Sequence, residues 1–387
     1  MQTVAAPIRQ YSSPTTLRTE WVTSSAAVDA LADAWTTLES AATHRTSFAT
    51  FDFLGTWYRH YAGEYGGTPL VGLAWNGTRL VGVSPLTIRQ GTLGRIPVTR
   101  VDFAPNDSIA GECLLDDAHP EALDALLESL VRDVRFDILC LNGFTPASAP
   151  LATILGVARR YKCAVELEDH AFAVADLRDG YPAYRNRLSS HYRRNLSNKA
   201  RKIEAAGATV EGVFLDEGLE HLDAAVERMI AINEASYKLE GQRLADHHRA
   251  FLFDVCRRLA AQRRLALPIL SIGGEDAAFF LGAIERGCFY DLTLAYAERF
   301  ARLSPGAHLT QLTLERLAAT GVHTMVSHGA HEYKKHWATA FVPQTRVYLF
   351  TRRPRALATR FVRFGLLPLW RRLSSGQNSD NAERQSD

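Results

Sequence analysis

The chain of 387 residues is long enough for two domains, and its 47% hydrophobic and 22% charged residues are typical of a globular protein with a substantial core. It contains no run of 18 apolar residues, so the sequence predicts no membrane span. Residues 1–19 lack the basic start and apolar core of a signal peptide, and we expect a disordered leader there. Five cysteines form an odd number without a C-x-x-C pair, which favours reduced thiols in a cytoplasmic protein over a disulfide framework or a zinc site.

The net charge of +2 conceals two strongly basic stretches. Residues 182–206 carry seven Lys or Arg and one acid, and residues 352–372 carry seven Arg and no acid, which leaves −11 for the remainder of the chain. Such concentration is the usual footprint of a polyanionic partner or an acidic membrane surface. A solvated helix face gives the same pattern.

The first half of the chain alternates helix and strand patterns. Asn76-Gly77 between two apolar runs predicts a β-hairpin. Around it we predict helices at 28–39 and 47–65, a strand near 98–103, a short strand at 113–115, a helix at 120–131, a strand at 137–141, a helix at 149–160, and strands at 163–167 and 171–175.

The second half repeats this plan. It begins with a basic helix at 182–206 and continues with a strand at 209–214, helices at 219–236 and 247–261, three strands between 265 and 296, a helix from 305, and strands at 322–326 and 345–350. This order indicates a duplicated α+β fold. We expect an N-terminal lobe at 20–178, a C-terminal catalytic lobe at 179–351, and a basic amphipathic helix followed by a disordered tail at 352–387.

The stretch 289–337 contains the clearest functional signal. A short apolar strand leads through a basic loop to a helix with Ser304 as N-cap, Pro305 in the first turn and Gly321 after its end. A helix start gathers unpaired N–H groups and a partial positive charge, so this loop is suited to a phosphate or carboxylate. An ordinary strand–helix–strand unit with a solvated loop fits equally well.

Several motifs in this stretch resemble the BioF2-like, or CelD-type, acetyltransferases of the GNAT superfamily, which are related to Fem-type aminoacyltransferases. The sequence S-P-G-A-H-L-T-Q-L-T-L-E-R-L-A-A-T-G is followed by H-G-A-H-E-Y-K-K-H-W. The matching positions are Tyr296, Ser304 to Gly306, Gly321, Gly329, Tyr333, Lys334 and Trp337. The resemblance extends over about residues 45–350.

The resemblance implies two tandem GNAT-like lobes, each a mixed, mostly antiparallel sheet flanked by helices. It also implies an acyl donor carried on coenzyme A, used as a co-substrate and not as a tightly bound cofactor. The donor's phosphates are expected at Arg302, Ser304, Gly306, Ala307 and His308. Two departures from the family pattern are a loop one residue longer that contains Pro305, and Met325 where the family tends to have Asp.

Acyl transfer requires proximity, a donor for the oxyanion and a base for the acceptor. The N–H groups of residues 292–294 are candidates for the oxyanion, Tyr296 for protonating the leaving thiolate, and Lys334 for the oxyanion or a phosphate. The sequence is also consistent with a purely structural role for Tyr296 at the end of a strand. Lys334 could equally be a solvated residue on the surface. The candidate bases are Asp291, Glu332, His328 and His331. Because H-E-x-x-H and cysteine partners are lacking, the histidines do not indicate a metal site.

Three functional hypotheses remain open. The first is acyl transfer from acyl-CoA to an amine or hydroxyl of a small molecule or glycan, with Arg193, Arg194 and Tyr333 binding substrate. The resemblance alone implies that this transfer belongs to cell-envelope polysaccharide biosynthesis. The second is aminoacyl transfer from tRNA, which draws on the basic helix. The third is a non-catalytic scaffold. The stretch 352–372 suits peripheral contact with an anionic membrane at its inner face, or docking on its own domain.

Overall fold

The computed structural model describes residues 17–63, 65–93, 95–105, 111–239 and 241–366. Its first half contains β1 (Arg18–Val22), α1 (Ser25–Asp29), α2 (Ala32–Ala41), a 3-10 turn (Ser47–Ala49), α3 (Phe51–Tyr61), β2 (Thr68–Asn76), β3 (Arg79–Leu93), β4 (Ile96–Phe103), β5 (Leu114–Leu115), α4 (Ala122–Asp133), β6 (Ile138–Phe144), α5 (Ala149–Arg160) and β7 (Ala164–Asp176).

The second half follows the same order. It contains α6 (Gly180–Arg187), α7 (Ser190–Ala205), β8 (Ala208–Phe214), α8 (Leu222–Glu234), α9 (Asp246–Ala261), β9 (Leu265–Ile272), β10 (Glu275–Glu285), β11 (Cys288–Tyr296), α10 (Pro305–Ala319), β12 (Thr324–His328), a 3-10 turn (Glu332–His336), β13 (Ala340–Phe350) and α11 (Pro354–Arg360). The predicted α+β class and the two-lobe plan are confirmed.

All the strands join one mixed sheet whose symmetry relates the two lobes. The order is β1-β2-β3-β4-β6-β13-β7-β12-β11-β10-β9-β8, with β5 on β3. Each lobe has four antiparallel strands, and its fourth strand runs parallel to the next: β4 to β6, and β11 to β12. The last strand of each half lies among the strands of the other, because β13 follows β6 and β7 follows β12. The expected boundary at 178/179 therefore falls after a strand that pairs only with the second half.

Apolar packing also crosses between the halves. One buried cluster combines α1–α3 with α8 and α9, and the rings of Phe53 and Phe251 meet edge to face at 5.9 Å. A second cluster lies beneath α10 and contains Leu309, Leu314 and Met325. The sheet and the two helical layers thus hold the lobes in one packed body.

Several element predictions require correction. The helix expected at 28–39 is two helices, α1 and α2, and the basic helix at 182–206 breaks into α6 and α7. The second break has a clear cause, because Ser189 is extended and its hydroxyl accepts a hydrogen bond from the N–H of Tyr192 as an N-cap. The strands expected at 163–167 and 171–175 are one strand, β7. The helix expected at 47–65 is the 3-10 turn plus α3, which ends at Tyr61.

Both ends of the described chain differ from expectation. Strand β1 begins at Arg18, so residues 18 and 19 belong to the sheet; residues 1–16 lie outside the described residues. After α11, a π-helical turn at Phe361–Leu366 continues the chain. Arg363 donates to Glu168 at 3.1 Å, and the ring of Phe364 contacts Tyr348 at 5.2 Å. The described part of the basic tail therefore docks on its own sheet, and residues 367–387 lie outside the described residues. No helix in the described chain is long and apolar enough to cross a membrane.

Candidate functional site

The candidate site lies where β11 and β12 separate. The two strands pair in parallel only from Cys288 to Tyr290 of β11. Strand β11 then continues to Tyr296 on its β10 side alone. Beyond Tyr290, its backbone groups that face the gap therefore have no ladder partner in β12.

A β-bulge reshapes β11 at the mouth of this gap. Leu281 of β10 pairs with Thr293 and Gly282 pairs with Asp291, so Leu292 has no partner in this ladder. A bulge of this kind bends a strand and re-aims its groups, and such bulges are frequent near active sites. It falls at residues 292–294, where we predicted the oxyanion donors. Lys238 reaches the same segment and donates to the carbonyl of Leu294 at 2.8 Å.

A half-buried carboxylate lies beside the gap. Asp291 accepts a hydrogen bond from the Ser327 hydroxyl of β12. Burial raises the pKa of Asp291 above its usual range, against the opposing effects of Ser327 and of the ammonium groups of Lys334 and Lys238. Asp291 is therefore suited to the predicted role of general base, because a carboxylate with a raised pKa binds a proton more strongly than an ordinary aspartate.

Lys334 lies beside this carboxylate and is not solvated surface. It is only 3% exposed and donates a hydrogen bond to the carbonyl of His328, while its neighbour Lys335 is exposed and pairs with Glu332. Burial lowers the pKa of Lys334, and the nearby Asp291 partly opposes this. The structure thus brings two of the predicted catalytic residues together.

Three tyrosines surround the mouth of the gap. The ring of Tyr237 lies 6.1 Å from that of Tyr296, and Tyr237 and Tyr333 are 57% and 58% exposed. Burial raises the pKa of Tyr333 to about 12, with Asp291 and Tyr237 contributing. Burial is also the main cause that raises the pKa of Tyr296, so both phenols remain protonated near neutral pH and can donate.

His328, which follows Ser327 in β12, is poorly suited to be a base. Burial, followed by the charge of Lys334, lowers its pKa to about 4. Its ring contacts Phe172 at 5.1 Å, and its Nδ1 is buried without a hydrogen-bond partner in the described chain. It borders a cavity of about 40 Å³ that is also lined by Asp291 and by Thr46 and Phe48 of the first lobe. The directions of the pKa shifts, upward for Asp291 and downward for His328, favour Asp291 among the predicted bases.

The start of α10 differs from the predicted cap. Ser304 has a left-handed backbone with φ of +54° and makes no side-chain cap; its hydroxyl instead accepts from Lys199 of α7. The N–H of His308 bonds to the carbonyl of Ser304, so the free helix-start N–H groups are those of Gly306 and Ala307. Arg302 is exposed just before them.

Gly306 has a steric role at this point. A Cβ there would lie 2.9 Å from a Leu294 methyl carbon and 3.5 Å from the Tyr296 ring. The glycine therefore lets the start of α10 approach the irregular part of β11. His308 is buried in α10, and burial lowers its pKa, with Glu204 opposing. Its side chain faces protein and not the open end of the helix.

Helix α7 borders the site along its length. The ring of Tyr192 stacks on His336 at 5.3 Å, next to the turn that carries Lys334. Lys199, further along the same helix, contacts the start of α10. Arg193 donates to the carbonyl of Asn186 at 2.9 Å, which ties α7 to α6, whereas Arg194 is exposed. The basic helix therefore brings Lys199 to the predicted phosphate loop.

Sequence reasoning missed Tyr237 and Lys238 as site residues, whereas Lys199 lies in the basic helix that it singled out. Tyr237 and Lys238 follow the end of α8, more than fifty residues before β11, and only the fold brings them to the gap. An aromatic and a cation directly after a predicted helix were the available signal. Met325, which occupies the family's Asp position, is buried in the core beneath α10.

Comparison with known proteins agrees with this geometry. Residues 190–335 match the family model described as "Acetyltransferase (GNAT) domain". The structure is similar to that of FemX, with 12% identity, a TM-score of 0.54, and coverage of 85% of this chain and 96% of that one. It is also similar to the C-terminal domain of a putative lysylphosphatidylglycerol synthetase from Agrobacterium fabrum, with 14% identity, a TM-score of 0.55, and coverage of 87% and 95%. No match was found among curated proteins.

These findings agree on the fold of the protein. The fold is α+β with two tandem GNAT-like lobes, as predicted, and the matched GNAT domain lies in the second lobe. The separated strands, the bulge and the loop predicted to bind phosphate all lie within this matched stretch. The domain match therefore places a GNAT domain in the second lobe, and the overall fold is similar to that of FemX.

Proposed function

We propose that the protein transfers an acyl group, acetyl in the simplest case, from acyl-CoA to an amine or hydroxyl acceptor. The observation that carries this proposal is Asp291, a half-buried carboxylate with a raised pKa that lies beside the gap between β11 and β12. A carboxylate in that position serves as the general base for the acceptor.

The reaction needs three groups of the chain. The acceptor's nitrogen or oxygen attacks the thioester carbonyl while Asp291 takes its proton. The carbonyl oxygen, which becomes an oxyanion, is stabilised by backbone N–H groups near the bulge at Leu292. As the tetrahedral intermediate collapses, the C–S bond breaks and Tyr296 donates to the departing thiolate. Lys334 holds Asp291 in place electrostatically and orients the loop through the His328 carbonyl.

The donor's phosphates belong at the start of α10 in this proposal. The N–H groups of Gly306 and Ala307 point out of the helix start, and Lys199 and Arg302 supply positive charge beside them. Pro305 donates no N–H, and the two free N–H groups after it form the cradle.

Binding of coenzyme A tests this assignment. Calorimetric titration should show saturable binding of CoA and acetyl-CoA, and Lys199→Ala and Arg302→Ala should each weaken it about tenfold, since each removes a charge-assisted contact. Lys202→Ala, an exposed position on the same helix, should bind normally. Absence of binding, or equal loss in all three variants, would refute the donor site.

The acceptor side suits a ring-bearing molecule. The exposed Tyr237 and Tyr333 frame the route to Asp291 and offer aromatic faces to a sugar ring. Together with the BioF2/CelD resemblance, this supports a glycan or amino-sugar acceptor in cell-envelope polysaccharide biosynthesis. The preference for a sugar acceptor can be measured by the release of free CoA thiol in the presence of a panel of acceptors that includes amino sugars.

Aminoacyl-tRNA-dependent transfer is the second candidate function. It rests on the row of exposed basic residues on α7, which includes Arg194 and Lys202, and on the similarity of the fold to FemX. If tRNA is the donor, its affinity should fall steeply with salt and drop further in Arg194→Glu. If the protein binds CoA saturably and shows no salt-sensitive binding of tRNA, the result supports acyl transfer from acyl-CoA over transfer from aminoacyl-tRNA.

We also propose that the protein works in the cytoplasm at the inner face of an anionic membrane. On the tail, Leu357 and Phe361 are exposed one turn apart, with Arg352 and Arg355 exposed near them. An apolar face flanked by cations is suited to anionic lipid. Flotation with anionic vesicles should recover the protein, and Phe361→Asp should abolish this; equal recovery with zwitterionic vesicles would contradict the proposal.

A further inference from the structure

A groove in the first lobe shares no residue with the candidate acyl-transfer site. It has a volume of about 730 Å³ and lies at the ends of β2, β3 and β4. Its lining includes Thr68, Gln90 and Thr99 from these strands, and the arginines Arg89, Arg135 and Arg353. Its size is within the range of pockets that hold nucleotide-sized ligands, and a lone phosphate would leave most of it empty.

The groove carries more positive than negative charge. Arg89 and Arg100 share one buried carboxylate, Asp102, at 3.1 and 2.6 Å. Arg353 lies 3.3 Å from the buried Asp137. Both carboxylates are nearly inaccessible, so a ligand in the groove meets the arginines and not their partners.

Arg135 supplies the uncompensated charge. It is exposed at the groove just before β6 and forms no ion pair within the described part of the chain. An arginine of this kind presents a planar set of donors that matches a phosphate oxygen pair. Together with Arg353 and Arg89, it makes the groove a cluster of guanidinium groups around an open space.

An aromatic ring lies at the rim of the same groove. Tyr65 is 54% exposed, and one face of its ring stacks on His247 of α9 at 3.6 Å with an interplanar angle of 14°. The stacking fixes the ring, and its other face is available to a base or sugar. The groove therefore combines guanidinium groups, which can bind phosphate, with an aromatic ring, which can stack on a base or sugar.

We propose that this groove binds a phosphorylated ligand of the nucleoside diphosphate class. Its phosphates contact Arg135, Arg353 and Arg89, and its base or sugar packs on Tyr65. The site is separate from the acyl donor's, which lies in the second lobe.

Three related ligands test separately the contacts to the phosphates and the contacts to the base or sugar. UDP carries a ring and two phosphates, uridine carries only the ring and sugar, and pyrophosphate carries only the phosphates. On the full-length protein, calorimetry should show saturable binding of UDP, with uridine and pyrophosphate each at least about tenfold weaker, because each lacks one set of contacts. Tyr65→Ala should reduce UDP affinity towards that of pyrophosphate.

A charge reversal with a matched control completes the test. Arg135→Glu should weaken UDP about tenfold or more, whereas Arg132→Glu, an exposed arginine on α4 outside the lining, should not. Both positions are exposed, and near-ultraviolet circular dichroism confirms that both variants fold. Binding of CoA should be unchanged in Arg135→Glu, which keeps this test independent of the acyl-transfer proposal. Lack of saturable UDP binding, equal effects of the two reversals, or a parallel loss of CoA binding would overturn the inference.

Discussion

Asp291 and Lys334 show how the fold changes the chemistry of ordinary side chains. Burial raises the pKa of Asp291 and lowers that of Lys334, so each group is shifted towards its neutral form although their charges attract. Desolvation therefore outweighs their mutual attraction. The result is a base that accepts protons more readily than a surface aspartate.

Removing the Lys334 charge should change the pH dependence of catalysis. In Lys334→Gln, Asp291 loses a cation that favours its ionised form, so its pKa should rise further. The acid limb of kcat/KM should then move to higher pH, and activity at neutral pH should fall about tenfold or more. Lys335→Gln, the exposed neighbour, should leave the profile unchanged. Identical profiles for both variants would mean that Lys334 does not act on the base.

His328 should make the free energy of unfolding depend on pH. Its pKa is about 4 in the folded chain and about 6.5 in the unfolded chain, so between these pH values the unfolded chain binds more protons. Its contribution is present above about pH 6.5 and is lost as the pH falls towards 4, at up to about 1.4 kcal/mol per pH unit. Urea unfolding of the wild type and of His328→Gln across this range should show a shallower pH dependence in the variant. Parallel curves would exclude this contribution.

The sequence predicted some site residues and could not predict others. Tyr296, Asp291 and Lys334 follow from their positions beside a strand and a motif. The 3-10 turn at Glu332–His336 directs the side chain of Lys334 inward and leaves Lys335 exposed, and the sequence does not indicate which of the two is buried. Tyr237 reaches the site through the contact of the segment after α8 with β11, and no local pattern contains that contact.

At the scale of elements, the packing of α10 on β11 depends on a glycine. Gly306→Ala places a methyl group about 2.9 Å from a Leu294 carbon, and we expect a loss of about 1 kcal/mol or more in stability and weaker CoA binding. Gly156→Ala in α5 meets nothing within 4 Å and should stabilise by about 0.5–1 kcal/mol. Thermal unfolding of both variants provides the comparison. Stabilisation by both would show that the close approach is not needed.

Local signals predicted elements well where the chain has strong turn or cap chemistry. The hairpin at Asn76-Gly77 and helix α5 appear at or near the predicted residues. Helix breaks were missed because charge and apolar periodicity continue across them; the break at Ser189 depends on a single cap. Strand β7 was divided in the prediction because its polar residues Glu168, Asp169 and His170 read as a turn, yet they pair across to β13.

At the scale of the whole molecule, the exchanged strands make the lobes interdependent. Residues 179–387 alone lack β7, which pairs with both β12 and β13, and residues 1–178 alone lack β13 beside β6. Each half expressed alone should be unfolded or aggregated, because it exposes unpaired strand edges. Coexpression of the two halves should restore a soluble complex, measured by size-exclusion chromatography and circular dichroism. Two separately folded halves would contradict the interdependence.

Strand exchange was not predictable from the order of elements. The duplicated pattern indicated two lobes, which the structure confirms, but it contains no information on which lobe pairs with the last strand of each half. That choice depends on long-range pairing of β13 with β7, whose register runs from Ala340 with Val174 to Phe350 with Ala164. The groove lined by Arg89, Arg135 and Arg353 likewise combines residues more than two hundred positions apart.

The central claim is that Asp291 is the base of an acyl transfer from acyl-CoA. The most direct measurement is the rate of CoA thiol release from acetyl-CoA with an amine acceptor, in the wild type, in Asp291→Asn and in the exposed control Asp246→Asn. We predict that Asp291→Asn lowers kcat by about a hundredfold or more while CoA affinity and folding are retained, and that the control is normal. Full activity of Asp291→Asn, or acceptor-dependent thiol release by none of the three proteins, would contradict the account.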